Sequence, residues 1–309
     1  MAAVPAGTVC AQSYPSKPLR IIVASTPGGG ADFVARIIAP KLTEALGQQT
    51  LVENRPGGGS TVGYEAGVRS APDGYTFTLI TPSYSINPSL YALKFDAVSD
   101  YTPVVMISKG PLVAIVHPSL PVKNIRELIA LAKAKPGVVT YGTSGQGTII
   151  HLTSALFESM AGIRMMHVPY KGGSAALMDV IAGNIYMNFS TPQTGLRQAK
   201  AGRVRALAVT SATRLGAVPD IPTIAESGVP GYEVINWQAL IAPKGVPRGI
   251  VERVNSTVNQ ALGSREMEEK LQADGVAPAG GTPEQLHEQI RREMDMWRKV
   301  VAQARIKIE

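Results

Sequence analysis

Cysteine is nearly absent from this sequence, since Cys10 is the only one in 309 residues. A single cysteine excludes a disulfide framework within the chain and a cysteine-based metal site. Long apolar runs are also missing: Leu112 to Val116 is typical of the longest, and a membrane-spanning helix needs roughly 18 to 20 apolar residues. We therefore expect the mature chain to be soluble.

Motifs of catalysis and of metal binding are incomplete or missing. The four histidines have no helical i,i+4 partner and no HExxH context, which argues against a metal site. Gln146 takes the place of the second glycine that a nucleophile elbow around Ser144 would need. Phe33 stands where a dinucleotide fingerprint has Gly or Ala, and no Walker-type Gly-Lys-Ser/Thr occurs. The sequence predicts no catalytic residue, no cofactor and no metal; a triad of residues distant in sequence stays open.

Acidic residues are outnumbered by basic ones, which gives a formal net charge of +7. Such an excess is also found in proteins that bind nucleic acid. Here the basic residues are scattered, and the densest stretch, residues 291–299, also carries Glu293 and Asp295 on a predicted helix. We therefore predict a solvated helix face and no nucleic-acid partner. The charge is compatible with an anionic ligand.

Residues 1–13 are rich in alanine and other small residues. Val9-Cys10-Ala11 fits the pattern that precedes a signal-peptidase cut and would leave Gln12 as the first mature residue, but a charged n-region and a full apolar core are missing. We interpret the segment as the end of an export signal whose front is absent; a disordered cytoplasmic tail is the alternative. Export predicts a periplasmic protein.

Strand, glycine turn and helix follow one another repeatedly. Leu19 to Ser25 is typical of a strand, Thr26 to Gly30 of a turn, and Ala31 to Leu46 of an amphipathic helix. The alternation continues to Thr210 and predicts an α/β protein with mostly parallel sheets and helices on both faces. Thr282-Pro283-Glu284-Gln285 has the form of a capping box, so a long last helix is predicted to begin there.

The chain length predicts two lobes, because 309 residues exceed the usual size of a single core. Lys109-Gly110-Pro111 separates two strand-like runs and is the predicted crossing between lobes. The Pro- and Gly-rich stretch from Pro219 to Pro247 would carry the return crossing. We predict that residues 14–103 and 226–309 form one lobe and that residues 104–225 form a second, inserted lobe.

Three loops share one design, since residues 26–32, 143–148 and 170–174 each follow a predicted strand and open a helix. Glycine lets the backbone approach a ligand, and helix N-termini present unpaired N–H groups with a partial positive charge. The loops also carry hydroxyl groups, on Thr26, Thr143, Ser144, Thr148 and Ser174. Turn and capping chemistry would explain one such loop. Three together favour an anion site in the crevice at the carboxyl ends of the strands.

Several single side chains leave alternatives open. Lys171 either pairs with a carboxylate or is solvated. Asp32 is expected to cap or orient its helix, because it would repel an anion. Trp237 either fills the core or forms an aromatic wall, and Tyr84 and Tyr170 are pocket candidates because both follow strand ends.

Ordered blocks along the chain resemble a known family. One is the PGGGAD loop from Pro27 to Asp32. The others are Tyr14 to Arg20, Val52 to Gly57, Ala71 to Thr76, Ile86 to Tyr91, Tyr141 to Thr143, His167 to Gly172, Arg205 to Thr210, Pro222 to Glu226 and Gly281 to Glu284. Nearly the whole chain after Ser13 resembles the Bug-type extracytoplasmic solute receptors of tripartite tricarboxylate transporters.

The resemblance implies a two-lobed periplasmic binding protein fold of type II (Venus flytrap), with a ligand cleft between lobes that two hinge crossings join. The loop at 27–32 would hold a carboxylate, often through water, together with the loops at 143–148 and 170–172. Many members have an aspartate after the phenylalanine matched by Phe189. Ser190 stands there in this chain, which disfavours an amino-group ligand and suits a neutral or second acidic end. The predicted ligand-binding residues are Thr26, Pro27, Gly28, Gly29, Gly30, Ala31, Asp32, Ser83, Tyr84, Asn87, Thr143, Ser144, Gly147, Thr148, His151, Tyr170, Lys171, Gly172, Ser190, Thr191 and Trp237.

The expected function is binding without catalysis. The chain would capture a mono-, di- or aromatic carboxylate in the cleft and deliver it, as a monomer, to the membrane subunits of a tripartite transporter. One alternative is a sensor that presents its closed form to a signalling partner. The other is a small-molecule enzyme on the same scaffold, because a fold does not determine a function.

Overall fold

The computed structural model describes residues 14–273, 275–303 and 306. The predicted export-signal remnant, residues 1–13 with Cys10 and Gln12, lies outside the described residues. In the described part of the chain, no helix combines the length and the apolar character needed to cross a membrane.

Strands and helices alternate along most of the described chain, with short 3-10 turns at Gly58–Ser60 and Asn87–Ser89. In chain order the elements are β1 (Leu19–Val23), α1 (Gly30–Leu46), β2 (Thr50–Asn54), α2 (Thr61–Val68), β3 (Thr76–Ile80), α3 (Ser83–Ile86), β4 (Tyr101–Pro111), β5 (Val113–Val116), α4 (Ile125–Ala134), β6 (Thr140–Thr143), α5 (Ile149–Ala161), β7 (Met166–Pro169), α6 (Gly173–Ala182), β8 (Met187–Ser190), α7 (Pro192–Lys200), β9 (Arg205–Val209), β10 (Ile235–Pro243), α8 (Arg248–Leu262), α9 (Arg265–Ala273), β11 (Ala277–Gly280) and α10 (Pro283–Gln303).

Local sequence signals explain where several helices begin and end. Helix α1 buries one face and ends at Gly47, whose left-handed φ of 72° suits glycine. The side chain of Asn124 caps α4 by accepting from the Glu127 N–H. The predicted capping box before α10 is confirmed, because the Thr282 N–H donates to Gln285 Oε1 and the Gln285 N–H donates to Thr282 Oγ1.

The strands form two separate sheets. A six-stranded sheet has the order β11-β4-β10-β3-β1-β2, and a five-stranded sheet has the order β7-β6-β8-β5-β9. We call the part built around the first sheet the large lobe and the part built around the second the small lobe. Each lobe has its own buried apolar clusters, for example around Ile21 and Ile38 in the large lobe and around Ile115 and Val180 in the small lobe.

Both sheets are mixed, so the expectation of mostly parallel sheets was wrong. Strand β1 pairs in parallel with β2 and β3, and β6 pairs in parallel with β7 and β8. Strand β10 runs antiparallel to β3 and β4, and β5 runs antiparallel to β8 and β9. Strands β5 and β10 each follow a crossing between lobes, and β11 also runs antiparallel to β4. A local alternation of strand and helix carries no information about these long-range pairings.

The chain leaves the large lobe between β4 and β5. Strand β4 continues through the predicted break at Lys109-Gly110-Pro111, so the crossing lies at Leu112. It returns just before β10, inside the predicted segment from Pro219 to Pro247. Residues 104–111 thus pair within the six-stranded sheet, whereas the predicted boundary assigned them to the inserted lobe.

Thr210 joins the two crossing segments. Its side chain is fully buried. The Oγ1 atom accepts from the Leu112 N–H at 2.7 Å and donates to Val234 O at 2.6 Å. Its backbone N–H donates to Leu112 O, and its carbonyl accepts from the Val234 N–H. Helix α10 adds another link, because Trp297 and Val301 near its end belong to an apolar cluster of the small lobe.

Candidate functional site

A cavity of about 80 Å³ lies between the two lobes. At about 10–15 Å³ per water, it has room for roughly five to eight waters or a small organic anion. Residues of both sheets and of the loops that follow them line the cavity. They are Ala24, Ser25, Thr26, Gly29, Gly30, Ala31, Ser60, Tyr64, Leu79, Thr81, Ser83, Leu112, Ser144, Ile149, Ile150, Lys171, Gly173, Ser174, Asn188, Ser190, Thr191, Thr194, Asn236 and Gln238.

Among the helices that begin at the wall of this cavity are α1, α5, α6 and α7. None of these four has a side-chain hydrogen bond from its own N-cap residue. Their first turns therefore present backbone N–H groups, with a partial positive charge, towards the space between the lobes. One of these groups, the Ile149 N–H, donates to Ser83 Oγ of the large lobe at 3.0 Å.

Charge at the cavity has one sign. Among the described residues that line it, Lys171 alone carries a formal charge, and no carboxylate is present. Lys171 is exposed overall, so solvent screens its attraction for an anion. Together with the helix N-termini, this arrangement favours a negatively charged group.

Asp32 is the last residue of the loop at 26–32, and its side chain stabilises the loop by hydrogen bonds. Its carboxylate accepts from the Gly28 N–H, from Arg36 Nε and from Asn54 Nδ2, each at 2.9 Å. Burial alone would raise the pKa of Asp32, but these hydrogen bonds outweigh burial and hold the pKa below its usual range. The geometry agrees with the expectation that Asp32 orients its helix, since it is not among the residues that line the cavity.

The loop at 143–148 rests on a pair of stacked imidazoles. The rings of His151 and His167 lie 4.3 Å apart; Thr143 Oγ1 is 2.7 Å from His167 Nε2, and the Gly147 N–H donates to His151 Nδ1. The pKa of each histidine is lowered to about 4, by burial in both cases and for His151 also by the neighbouring His167. Both rings are thus neutral near pH 7 and position the loop without adding charge.

Buried polar atoms at the cavity lack partners within the protein. Among the described residues, Ser25 Oγ, Thr26 Oγ1, Asn188 Oδ1 and Asn236 Oδ1 make no hydrogen bond. All four residues line the cavity. Buried polar groups are almost always paired in folded proteins, so these atoms indicate where a bound molecule or its waters would be held.

Glycines let the two lobes meet closely around the cavity. A Cβ at Gly30 would lie 2.6 Å from Thr191 Cγ2, and a Cβ at Gly172 would lie 2.0 Å from Thr26 Oγ1. Like the Ile149–Ser83 bond, the hydrogen bonds from Ser174 Oγ to Pro27 O at 3.1 Å and from Tyr91 OH to Gln146 O at 2.8 Å cross the same boundary. The lobes are therefore in a closed arrangement.

A more open groove of about 360 Å³ adjoins the cavity and shares Ser144 and Lys171 with it. The glycines at 57–59 form one side. Tyr170 lies in this groove rather than in the cavity, and its hydroxyl donates to Asp179 Oδ2 at 2.6 Å.

The structure brings part of the predicted site together at the cavity: Thr26, Gly29, Gly30, Ala31, Ser83, Ser144, Lys171, Ser190 and Thr191 line it. Other predicted residues do not line the cavity but make hydrogen bonds or close contacts that position its loops: Pro27, Gly28, Asp32, Asn87, Thr143, Gly147, Thr148, His151 and Gly172. Tyr84 and Trp237 lie in the apolar core. The Trp237 Nε1–H donates to the buried Glu293 at 2.7 Å.

On β10 the sequence predicted Trp237 as a site residue, whereas the residues of this strand that line the cavity are Asn236 and Gln238; Tyr64 was not predicted either. Asn236 and Gln238 flank Trp237 on alternate positions of a strand that is otherwise apolar, and this period-two pattern was the available signal. Tyr64, whose hydroxyl lies 3.2 Å from Thr81 Oγ1, had no such signal in its helix. In the described residues, no group of three or more His, Cys, Asp or Glu side chains is placed to hold a metal ion.

Residues 34–306 match the tripartite tricarboxylate transporter family receptor. The chain belongs to this family. Protein BugT of Bordetella pertussis is 34% identical to it over 307 residues, which are 98% of this chain and 94% of BugT. R. palustris Rpa4515 with adipate has a TM-score of 0.93 and 35% identity, covering 95% of this chain and 99% of that chain. MatC (Rpa3494) from Rhodopseudomonas palustris with bound malate has a TM-score of 0.89 and 26% identity, covering 93% of this chain and 100% of that chain.

The resemblance to Bug-type receptors is thereby confirmed, and so is the fold. This receptor has the two-lobed α/β fold of periplasmic solute-binding proteins. Family members are solute-binding receptors. Pockets for small molecules occur preferentially at interfaces between domains, and the cavity described above lies at such an interface.

Proposed function

We propose that this receptor is a periplasmic protein that binds a small carboxylate between its lobes and delivers it, chemically unchanged, to the membrane subunits of a tripartite transporter. The observation that carries the proposal is the electrostatics of the cavity. The N-termini of α1, α5, α6 and α7 and the side chain of Lys171 face a space whose described lining contains no carboxylate. The adipate and malate in related structures are carboxylates too.

Closure of the lobes would couple binding to recognition by the transporter. We place the hinge at the two crossings, near Leu112 and Val234, where Thr210 joins them. The lobes would then comprise residues 14–111 with 235–303, and residues 112–234. A carboxylate that contacts both lobes favours the closed form by its differential affinity for the two forms. The membrane subunits would recognise that closed form, and a monomer suits such a shuttle.

Ser190 would set the preference at the end of the ligand remote from its first carboxylate. It lines the cavity, and its Oγ lies 2.8 Å from Thr194 Oγ1. An aspartate here would repel a second carboxylate, so Ser190→Asp should weaken binding of a dicarboxylate. An unchanged dissociation constant in calorimetry would refute this role.

A thermal-shift screen tests the proposal. Mono-, di- and aromatic carboxylates form the panel, with sugars and the neutral amides of the same acids as controls. A ligand that binds only the native state stabilises it by about 2.7 kcal/mol at a hundredfold excess over its dissociation constant. We expect a raised melting midpoint with one carboxylate class only. Equal shifts with the amides would refute an anion site, and NMR detection of an altered ligand after incubation would refute binding without catalysis.

A further inference from the structure

Asn188 presents an acceptor of fixed orientation to the cavity. It lies on β8 and only 1% of its surface is exposed. Its Nδ2 donates to Gly142 O at 2.8 Å, and because a carbonyl only accepts, the two ends of the amide cannot be exchanged. Oδ1 is therefore the free end, and it has no hydrogen-bond partner among the described residues. A buried acceptor of this kind requires a donor.

Asn236 presents a second unpaired amide oxygen from the opposite lobe. It lies on β10, its Oδ1 is buried, and this atom also lacks a partner in the described part of the chain. Its neighbour Gln238 differs, because Gln238 Oε1 accepts from Ser108 Oγ at 2.7 Å. Two unpaired amide oxygens, one from each lobe, thus line the same cavity.

Ligand groups differ in whether they can satisfy these oxygens. A carboxylate oxygen only accepts, so it would leave Asn188 Oδ1 unpaired. An ammonium group can donate, but the described lining offers it no carboxylate and includes the positively charged Lys171. A hydroxyl group donates without carrying charge, so it fits both the acceptors and the electrostatics.

We propose that the ligand is a hydroxycarboxylate whose hydroxyl group donates to Asn188 Oδ1, with Asn236 Oδ1 as the second acceptor at this position. Its carboxylate would lie at the helix N-termini. The inference rests on the proposed function and narrows its ligand class. Sites built to hydrogen-bond a hydroxyl discriminate strongly against analogues that lack it, because the buried protein group is then left unpaired.

Calorimetric titration of matched ligands tests the inference. The pairs are malate with succinate, lactate with propionate, and citrate with tricarballylate, which differ only in the hydroxyl; aspartate adds an ammonium group to the skeleton of succinate. In the pair that binds, we expect the hydroxylated member to bind at least about tenfold more tightly, the effect of one unpaired buried acceptor. Asn188→Ala should reduce this ratio to near one, whereas Asn184→Ala, an exposed control on the same lobe, should preserve it.

The outcomes separate this inference from the function on which it rests. Equal affinities for both members of a pair, or the tightest binding by aspartate, would overturn the hydroxyl inference and leave the carboxylate receptor intact. No binding of any member would overturn the hydroxyl inference, and it would overturn the carboxylate receptor as well if no acid of the thermal-shift panel raises the melting midpoint. If Asn188→Ala does not fold, the wild-type ratios and the variant Asn236→Ala, which leaves the bond to Gly142 in place, still decide the matter.

Discussion

Gly30, the first residue of α1, faces Thr191 across the closed cavity, and a methyl group added there would prevent the present closure. The new Cβ would lie 2.6 Å from Thr191 Cγ2 and 2.9 Å from Thr191 Oγ1, whereas carbon atoms in contact are normally about 3.5–4.0 Å apart. The overlap is thus about 1 Å. Forcing a methyl group into a packed contact costs about 1–3 kcal/mol. If only the closed form binds tightly, Gly30→Ala should weaken ligand binding about 5- to 150-fold.

The same substitution should not harm the unliganded protein. Gly30 has no left-handed φ, and alanine favours a helix over glycine by up to about 1 kcal/mol. We therefore expect the melting midpoint without ligand to stay constant or rise while affinity falls. Gly249→Ala is the matched control, because Gly249 is the second residue of α8 and a Cβ there would meet nothing within 4 Å.

Calorimetry measures the predicted loss of ligand affinity in Gly30→Ala, and thermal unfolding measures its melting midpoint without ligand. Combining Gly30→Ala with Thr191→Ala removes the two nearest clashing atoms and should recover part of the lost affinity, which a double-mutant cycle measures. Wild-type affinity in Gly30→Ala would refute the conclusion that the lobes close onto each other at Gly30 and Thr191.

Three further predictions follow from the contacts around the cleft. His151 and His167 have pKa values lowered to about 4 from 6.5, so the unfolded chain binds more protons between these values and stability falls as the pH drops from 6.5 towards 4. The lowered pKa of His151 alone should reduce the free energy of unfolding by about 2 kcal/mol at pH 5. Urea unfolding of the wild type and of His151→Gln at pH 7 and pH 5 measures this loss. An equal loss of stability in the variant would contradict the prediction. Thr210→Val removes the hydroxyl that joins Leu112 and Val234 and should change ligand affinity, whereas Thr210→Ser keeps the hydroxyl and should keep the wild-type affinity. Equal affinities of the two variants in calorimetry would contradict a hinge role. Lys171→Met should weaken carboxylate binding by up to about fivefold, the range of an exposed ion pair, and the loss should shrink at 0.5 M salt; a loss that salt leaves unchanged would argue against charge pairing.

The sequence predicts the local elements of this fold closely. The strand, turn and helix around Thr26 are found as expected, and α10 begins at the predicted capping box. Such features depend on neighbouring residues, which is why a single sequence reveals them. The position of β10 between β3 and β4 depends on pairings between residues far apart in the chain, and no local pattern indicates it.

The candidate site shows the same division. The glycine loops at 26–32 and 143–148 were predicted because their residues suit a close approach of backbone to ligand. On β10 the sequence favours Trp237 as a site residue, but its side chain packs against Glu293, and Asn236 and Gln238 line the cavity from the other face of the strand. Successive side chains of a strand point to opposite faces, so Asn236 and Gln238 line the cavity and Trp237 does not.

Closure of the two lobes around a carboxylate is most directly tested by small-angle X-ray scattering with and without the acid that the thermal-shift screen identifies. We predict that saturating carboxylate lowers the radius of gyration of the wild-type protein and of Gly249→Ala, and lowers it less in Gly30→Ala. The neutral amide of the same acid should leave the scattering unchanged. Identical scattering of the wild type with and without saturating carboxylate, or the same compaction with the amide, would contradict the account.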